Sequence, residues 1–362
     1  MSNYVEYNDK VAFHPGYYIK EIVDESGLTQ EDFAKRLGTT PKNLSVLIKG
    51  NQSLSVDMAI KLSRMLGTTI AYWLNLQQAY DEKLAEIQSD QELKREREVF
   101  KRMDYKYFRD NFRLPDLPRQ IDLQIKCLRE FLSVSSLTVL EESNLAVSFR
   151  SCSENLSVSN TVNANAMVQI AINQTLAAET AKYSRKQFEK AAAFALTQTR
   201  NHDGLFPILQ KEFAKAGVVL IILPNLKNSG VNGASKKVGD KVMLMVNDRR
   251  HYADTFWFTL FHEIGHILNG DLGISFNDEK EDEADLYAQR ALIPQEKYVT
   301  FVNGNQHFDE SLIREFADEI DRDPGIVLGR LMKDGIIPYT DTKMQKKLRY
   351  SYTFASQSTQ EN

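Results

Sequence analysis

Two histidines and a glutamate lie at a spacing that permits metal chemistry. The segment FHEIGHILNGD, residues 261–271, places His262 and His266 four residues apart, with Glu263 directly after the first histidine. On a helix, positions i and i+4 share one face, so both imidazoles can bind one ion. Glu263 lies roughly 100° around the helix from His262 and is better placed to hold a water molecule. This H-E-x-x-H pattern is typical of two zinc ligands and the general base of peptide hydrolysis.

The helix that carries these residues is predicted to be buried. Apolar side chains surround the histidines on nearly all sides: Trp257, Phe258, Leu260, Phe261, Ile264, Ile267 and Leu268. A buried helix with two imidazoles and a carboxylate is costly unless something compensates these polar groups. A bound zinc ion is the simplest compensation, and Asn269 with Gly270 is predicted to end the helix.

A catalytic zinc site takes three protein ligands and leaves one position for water. No third histidine follows in an HxxGxxH continuation, which excludes the three-histidine version of the motif. Instead, the next predicted helix begins with an acidic cluster: Glu279, Glu281, Asp282, Glu283 and Asp285. A glutamate of this helix would complete the site. Periodicity alone leaves the choice open, because Glu281 shares a face with Ala284 and Ala288 while Glu283 lies over Tyr287.

A second stretch predicts a different activity. LTQEDFAKRLGTTPKNLSVLIKG, residues 28–50, has the plan of a helix, a glycine-bearing turn and a second capped helix. The apolar residues form the inner faces of both helices, and the polar residues of the second helix point outward. We expect this second helix to enter the major groove of double-stranded DNA.

The expected DNA contacts follow from side-chain chemistry. Asparagine suits adenine, lysine suits guanine or phosphate, and the first residue of the preceding helix can reach the DNA backbone. The predicted DNA-binding residues are Gln30, Thr40, Lys42, Asn43, Ser45 and Lys49. An alternative stays open, because residues 1–80 carry eight acidic and eight basic side chains. That balance favours a helical bundle used only for dimerisation or for docking a partner.

Composition limits the class of protein. The 362 residues allow two or three domains, and the net charge of −4 excludes DNA binding through overall charge. The N-terminal MSNYVEYNDK lacks the pattern of a signal peptide. The longest apolar run, Val218–Leu223, is far shorter than a membrane helix. Cys127 and Cys152 have no metal-type spacing, so we expect two free thiols in a cytoplasmic protein without a membrane partner.

The pattern of elements predicts an α+β protein. Residues 1–80 read as an all-α helix-turn-helix domain, and residues 81–112 as a charged connecting helix. Residues 113–345 read as a mixed α/β domain with strands at 218–223 and 242–246. Residues 346–362 form a polar tail.

Both halves resemble known families. Residues 13–82 resemble the HigA branch of the Xre helix-turn-helix regulators, on their HPG start, their LTQ segment and the ending WLNLQQAYD. Residues 115–340 resemble the ImmA/IrrE metallopeptidases. This second resemblance depends on four motifs: GVNGAS, FWFTLFHEIGHIL, EDEADLYAQRALIP and PGIVLGRL.

The resemblance implies a zincin-like, gluzincin-type endopeptidase domain that uses Zn²⁺. It implies Glu283 as the third ligand beside His262 and His266, with Glu263 as the catalytic base. It also implies a protein substrate of the repressor or antitoxin type in a stress, prophage or toxin–antitoxin circuit. The alternative is an antitoxin or transcriptional repressor whose metal domain senses or binds a partner without proteolysis. We expect a homodimer, because helix-turn-helix proteins pair two half-sites.

Overall fold

The structure is a computed structural model that describes residues 3–142, 158–247, 249, 251–271 and 278–352. Two compact units divide the chain, Met1–Arg95 and Glu96–Asn362. The division falls later than the predicted end of the first domain at residue 80, because one helix runs without interruption from Ile70 to Phe100. Cys152, the side chain of Glu279 and the end of the polar tail lie outside what the structure describes.

The first unit is a helical bundle preceded by a short hairpin. The hairpin pairs β1 with β2 antiparallel and was not predicted from the sequence, because each strand has only four residues. The elements are β1 (Tyr4–Tyr7), β2 (Lys10–Phe13), α1 (Pro15–Glu25), α2 (Gln30–Leu37), α3 (Pro41–Ile48), α4 (Val56–Leu66) and α5 (Ile70–Phe100).

The capping residues define the helix-turn-helix as the sequence predicts. Thr29 begins α2 and its hydroxyl accepts a hydrogen bond from the Asp32 amide, while Gly38 ends the helix in the left-handed conformation. Thr40 begins α3 in the same way, with its hydroxyl accepting from the Asn43 amide. These caps fix the turn between α2 and α3 through hydrogen bonds and backbone conformation, without apolar contacts.

The core of this unit holds α1 tightly against α3. A Cβ atom on Gly16 would lie 2.2 Å from the carbonyl oxygen of Leu47, so only glycine permits this approach. Trp73 of α5 is fully buried and its indole N–H donates to the Thr68 hydroxyl at 2.8 Å. Phe33, Leu44 and other apolar residues fill the space between the helices.

His14 connects three parts of the first unit. It begins α1, its Nδ1 atom accepts a hydrogen bond from the Gly16 amide at 2.9 Å, and its ring packs edge-on against Tyr80. The loop after α3 also packs against the ring, since a Cβ atom on Gly50 would lie 3.4 Å from the His14 Cγ. The side chain is 2% exposed, and this burial lowers the pKa of His14 below its ordinary value.

The burial of His14 predicts a loss of stability at acidic pH. Below about pH 6.5 the unfolded chain binds a proton at His14 and the folded unit resists it, so the free energy of unfolding falls by up to ~1.4 kcal/mol per pH unit. Trp73 fluorescence in a Trp257→Phe background measures this in urea titrations between neutral and acidic pH. We expect His14→Asn, which keeps a capping acceptor, to remove this part of the pH dependence. If the free energy of unfolding of His14→Asn depended on pH as steeply as that of wild type, His14 would not contribute to the pH dependence.

The second unit combines many helices with one small sheet. Its elements are α6 (Tyr105–Phe112), α7 (Ile121–Leu132), a 3-10 turn (Leu137–Glu141), α8 (Val158–Ala177), α9 (Arg185–Leu196), α10 (Leu205–Lys215), β3 (Val218–Leu223), β4 (Gly233–Val238), β5 (Lys241–Asn247), α11 (Ala253–Asn269), α12 (Asp278–Leu292), α13 (Gln295–Asn303), α14 (Glu310–Glu319), α15 (Pro324–Lys333) and α16 (Thr342–Leu348).

The sheet has the order β3-β5-β4. β3 and β5 are parallel, and the register places Val218 opposite Val242. β4 pairs antiparallel with β5 through a tight turn at Gly239, whose φ is +60°. The sequence predicted β3 and β5 but not β4. The edge strand β4 has the sequence GASKKV, whose glycine and lysines have low strand propensity.

The core of the second unit surrounds α11. Trp257, Phe261 and Ile264 of this helix are fully buried among residues of the sheet, α9, α10 and α15. The α+β class predicted from the sequence is therefore confirmed. Among the described residues, no helix is both long enough and apolar enough to cross a membrane.

Candidate metal centre and DNA-reading helix

The metal centre is built where α11 packs against α12. Gly265 lies at the crossing, and a Cβ atom there would come 3.3 Å from the Ala284 Cα and 3.1 Å from the Tyr287 ring. Ala284 and Ala288 of α12 are fully buried. Small residues on both helices therefore allow a close approach, and this approach brings the acidic start of α12 to the histidines.

His262, His266 and Glu281 converge at this crossing. The Nε2 atoms of the two histidines are 3.1 Å apart. The Glu281 carboxylate lies 3.3 Å from His262 Nε2 and 3.4 Å from His266 Nε2. One ligand atom from each residue fits within a cluster whose members are at most 4.8 Å apart. Both imidazoles thus turn the same nitrogen toward one point that a carboxylate also faces.

Glu283, the third ligand implied by the family resemblance, is not brought to this point. Its side chain is exposed, whereas Glu281 is half-buried against the histidines. The buried alanines explain the difference, because Ala284 and Ala288 define the face of α12 that meets α11. Glu281 lies on that face, and Glu283 is about 100° away from Ala284 around the helix. The structure places Glu281 where Glu283 was expected.

Asp285 orients the first histidine, a role that the sequence reading did not assign. Its carboxylate lies 2.8 Å from His262 Nδ1, on the side of the ring that faces away from the cluster. The Lys333 ammonium of α15 donates to the other Asp285 oxygen at 3.2 Å. Histidines that bind metals usually donate their second ring nitrogen to such a carboxylate. The four-residue spacing from Glu281 to Asp285 was the signal for this pair.

Charge and hydrogen bonding hold the cluster together. Burial alone lowers the pKa of His262, but its hydrogen bonds to the Asp285 and Glu281 carboxylates outweigh that effect and raise the pKa to about 9. Burial raises the pKa of Glu281, but the two histidines outweigh that effect and lower it to about 2. The site therefore pairs imidazole with carboxylate, and binding a metal ion would displace the shared proton.

Glu263 lies on α11 beside the cluster and is 4% exposed. Its negative charge contributes to the raised pKa of His262, which shows that the two groups are close. Gly233, the first residue of β4, packs directly against it. A Cβ atom on Gly233 would lie 2.8 Å from Glu263 Cγ and 2.9 Å from Oε1, so the edge strand leaves room for this carboxylate only through glycine.

The donor set fits a metal ion of the zinc type. Two imidazole nitrogens and one carboxylate form the three-ligand arrangement of catalytic zinc sites. The buried His266 Nδ1 has no hydrogen-bond partner among the described residues, and its nearest carboxylate, Asp271, is 3.9 Å away. The nitrogen of His266 that faces Glu281 is Nε2, on the opposite side of the ring.

A buried ion pair anchors the first turn of α11. The Arg349 guanidinium donates to both oxygens of Asp254, at 3.0 and 2.7 Å, and stacks over the Tyr252 ring. Burial raises the pKa of Asp254, and the bond from Arg349 opposes that rise. Gly329 permits the close approach of α15, because a Cβ atom there would lie 2.7 Å from Asp254.

Removing the cation from this pair should destabilise the second unit. In Arg349→Met the Asp254 carboxylate stays buried without its cation, so we expect the free energy of unfolding to fall by about 3–5 kcal/mol. Trp257 fluorescence during urea denaturation, in a Trp73→Phe background, measures this unit. The control Arg185→Met removes an exposed ion pair with Glu189 and should cost less than about 1 kcal/mol. Equal effects of the two substitutions would contradict the anchoring role.

A cavity of about 310 Å³ lies along α11 at Phe258, one helical turn before the first histidine. Apolar residues at the end of α12, just after it and in α15 form part of its wall: Leu292, Ile293, Ile326 and Met332. Phe258 connects the cavity to the site, because its ring centroid lies 6.5 Å from that of His262. Lys333, whose ammonium lies over the Phe258 ring, stands at the same boundary. The volume is at the lower end of small-ligand pockets.

The predicted DNA contacts lie on and around α3. Lys42, Asn43 and Lys49 are exposed, Ser45 is half-buried, and Gln30 is exposed at the first position of α2. The hydroxyl of Thr40 is used in capping α3. Sequence reasoning did not identify Thr39 and Gln52, which both hydrogen bond to the Asn43 side chain.

Comparison with known proteins gives a family for each half of the chain. The family described as Helix-turn-helix matches residues 19–73, and the family described as IrrE N-terminal-like domain matches residues 214–320. The fold and the site thus define a helix-turn-helix regulator with a metallopeptidase-type second unit. The N-terminal resemblance to HigA-type regulators and the C-terminal resemblance to the ImmA/IrrE family are both confirmed.

Several known proteins are similar to the first unit. The HTH-type transcriptional regulator YddM of Escherichia coli is 37% identical over 92 residues, which is 25% of this chain and 96% of that protein. Antitoxin HigA-1 of Vibrio cholerae is 38% identical over 61 residues, 17% of this chain and 57% of that protein. An addiction module antidote protein of the HigA family from Coxiella burnetii is 30% identical, covers 23% of this chain and 92% of its own, with a TM-score of 0.22. The chain belongs to the HTH-type transcriptional regulators and carries an IrrE-like peptidase domain in addition.

Proposed function

We propose that this DNA-binding regulator is also a zinc-dependent endopeptidase. Its substrate would be a repressor or antitoxin-type protein in a stress, prophage or toxin–antitoxin circuit. The observation that carries the proposal is the convergence of His262, His266 and Glu281 on one point, with Asp285 behind the first histidine. The IrrE-like match over residues 214–320 supports the same reaction class. The homodimer stays a prediction.

The chain's own residues divide the chemistry between them. His262, His266 and Glu281 would hold the zinc ion, and Asp285 would keep the His262 ring in the required tautomer. When bound, zinc would lower the pKa of a water molecule and polarise the scissile carbonyl. Glu263 would accept the proton of the attacking water and then donate it to the leaving amine. Gly233 would leave the Glu263 carboxylate the space it needs beside β4.

The cavity along α11 suggests a preference in the substrate. Its apolar wall begins at Phe258, one turn before the first histidine on α11. A substrate bound across the centre could place one side chain there, and burying a large apolar side chain gains about 1.5–3 kcal/mol. We therefore expect cleavage next to a large apolar residue.

An antitoxin or repressor that binds metal without proteolysis is the second candidate. The similarity of the first unit to a protein named Antitoxin HigA-1 favours it. Both candidate functions require the metal centre. They differ only in whether Glu263 acts as the general base of proteolysis.

Exchange of single carboxylates should identify the third ligand. We expect Glu281→Gln to lower zinc affinity more than a hundredfold, since loss of an outer partner alone costs about 10–100-fold. Asp285→Asn should fall within that smaller range, and Glu283→Gln, an equivalent change at an exposed position of the same helix, should have little effect. Competition with a fluorescent zinc chelator measures all three. Loss of zinc in Glu283→Gln but not in Glu281→Gln would restore the assignment implied by the family.

Glu263→Gln should separate binding of the metal from catalysis. We expect the variant to keep stoichiometric zinc but to cut candidate repressors and antitoxins about 10²–10⁴ times more slowly, because the general base is lost. Mass spectrometry of the products gives the rate and the residues at each cut. Stoichiometric zinc without any Glu263-dependent cleavage would exclude the peptidase and favour the metal-binding regulator. Cuts with no apolar residue nearby would exclude only the role of the cavity.

A further inference from the structure

Asn43 of the DNA-reading helix is held by two side chains outside that helix. Gln52, in the loop after α3, donates from its Nε2 atom to Asn43 Oδ1 at 2.9 Å and more weakly to the Asn43 backbone oxygen at 3.4 Å. The Asn43 Nδ2 atom donates to the hydroxyl of Thr39 at 3.0 Å. The three residues come from the turn, the helix and the following loop, so they form a network across the helix-turn-helix.

Both partners of Asn43 are themselves anchored. The Thr39 amide donates to the Ala34 carbonyl oxygen at 3.0 Å, which ties the turn to the end of α2. The loop that carries Gln52 packs against the buried ring of His14, since a Cβ atom on Gly50 would lie 3.4 Å from the His14 Cγ. The same loop is held at Leu54, whose amide donates to the buried Gln77 side chain at 2.8 Å. The network is thus fixed to the core of the unit although its own side chains face solvent.

Hydrogen-bond capacity shows what the network leaves unused. A side-chain amide has two N–H donors and an oxygen with two lone pairs. Thr39 takes one donor of Asn43, and Gln52 takes one lone pair. One donor and one acceptor remain on an exposed amide whose end-to-end orientation is set. Adenine presents a matching pair in the major groove, the acceptor N7 and the donor N6.

We propose that Gln52 and Thr39 are positioning residues that fix the Asn43 amide to read adenine in the major groove. Without them, rotation about the terminal torsion of Asn43 interchanges the donor and the acceptor at little cost. With them, the free N–H and the free oxygen stay in one order, which matches adenine and opposes a base that presents another pattern. This inference rests on the role of α3 as the DNA-reading helix.

The test compares base discrimination rather than affinity alone. The full chain selects sequences from a duplex library with a randomised core. The selected duplex is then made in several versions, each with 7-deazaadenine in place of one adenine. This analogue lacks the N7 acceptor. We expect wild type to bind about five- to tenfold more weakly at one such position, the loss of one hydrogen bond. Asn43→Ala should remove that penalty.

The decisive variant is Gln52→Met, which keeps the length of the side chain but cannot donate. We expect it to lose most of the 7-deazaadenine penalty, and the double variant with Asn43→Ala to lose no more. Gln52→Lys keeps a donor toward Asn43 Oδ1 and should retain the penalty. The matched control Gln78→Met removes a glutamine of α5 that bonds only to exposed Glu82, and should leave the discrimination unchanged.

The outcomes separate this inference from the role of the helix. If wild type selects no sequence, the DNA-reading role of α3 fails and this inference fails with it. If Asn43→Ala removes the penalty while Gln52→Met retains it, α3 reads DNA but the positioning role is overturned. A Gln52→Met protein that loses thermal stability but keeps its discrimination would show that the network only fastens the loop.

Discussion

The close packing of α11 on α12 is the constraint on which the candidate metal centre depends. Gly265 and Ala284 let the two helices approach until a Cβ atom at Gly265 would lie only 3.1 Å from Tyr287 and 3.3 Å from Ala284. The two histidines come from one helix and the carboxylates from the other, so their distances are set by this crossing and not by local sequence. A larger side chain at Gly265 would move Glu281 and Asp285 away from the imidazoles together. The chemistry of the site is therefore a consequence of two small residues that take no part in it.

Contacts farther from the crossing also hold α11 and α12 in place. The buried Asp254–Arg349 pair fixes the beginning of α11, and Gly270 ends the helix after the second histidine. On the other side, Lys333 of α15 holds Asp285, which in turn orients His262. Asp254, Glu281 and Asp285 are each paired with a group from a different element. A buried polar network of this kind specifies one arrangement because a half-paired alternative costs several kcal/mol.

The sequence predicted the parts of this structure that depend on local signals. The caps Thr29 and Thr40 and the stop at Gly38 are local, and the helices of the first unit begin and end where these residues indicate. His262, Glu263 and His266 share one helix, so their relation follows from helical geometry alone. The hairpin Tyr4–Phe13 and the strand β4 were missed because their stability comes from pairing partners rather than from strong strand propensity.

The third ligand shows why a resemblance and a physical pattern have to be compared. The family motif implied Glu283, while the structure brings Glu281 to the packed face of α12 beside the histidines. Periodicity left both open because it does not show which face of a helix meets its neighbour. That choice required the crossing at Gly265, a contact between residues distant in sequence. The hydrogen bonds of Asn43 also depend on contacts outside the reading helix, since the fold around His14 brings Gln52 to that helix. In both units, local sequence supplies the reactive groups, and contacts between distant small or polar residues determine their orientation.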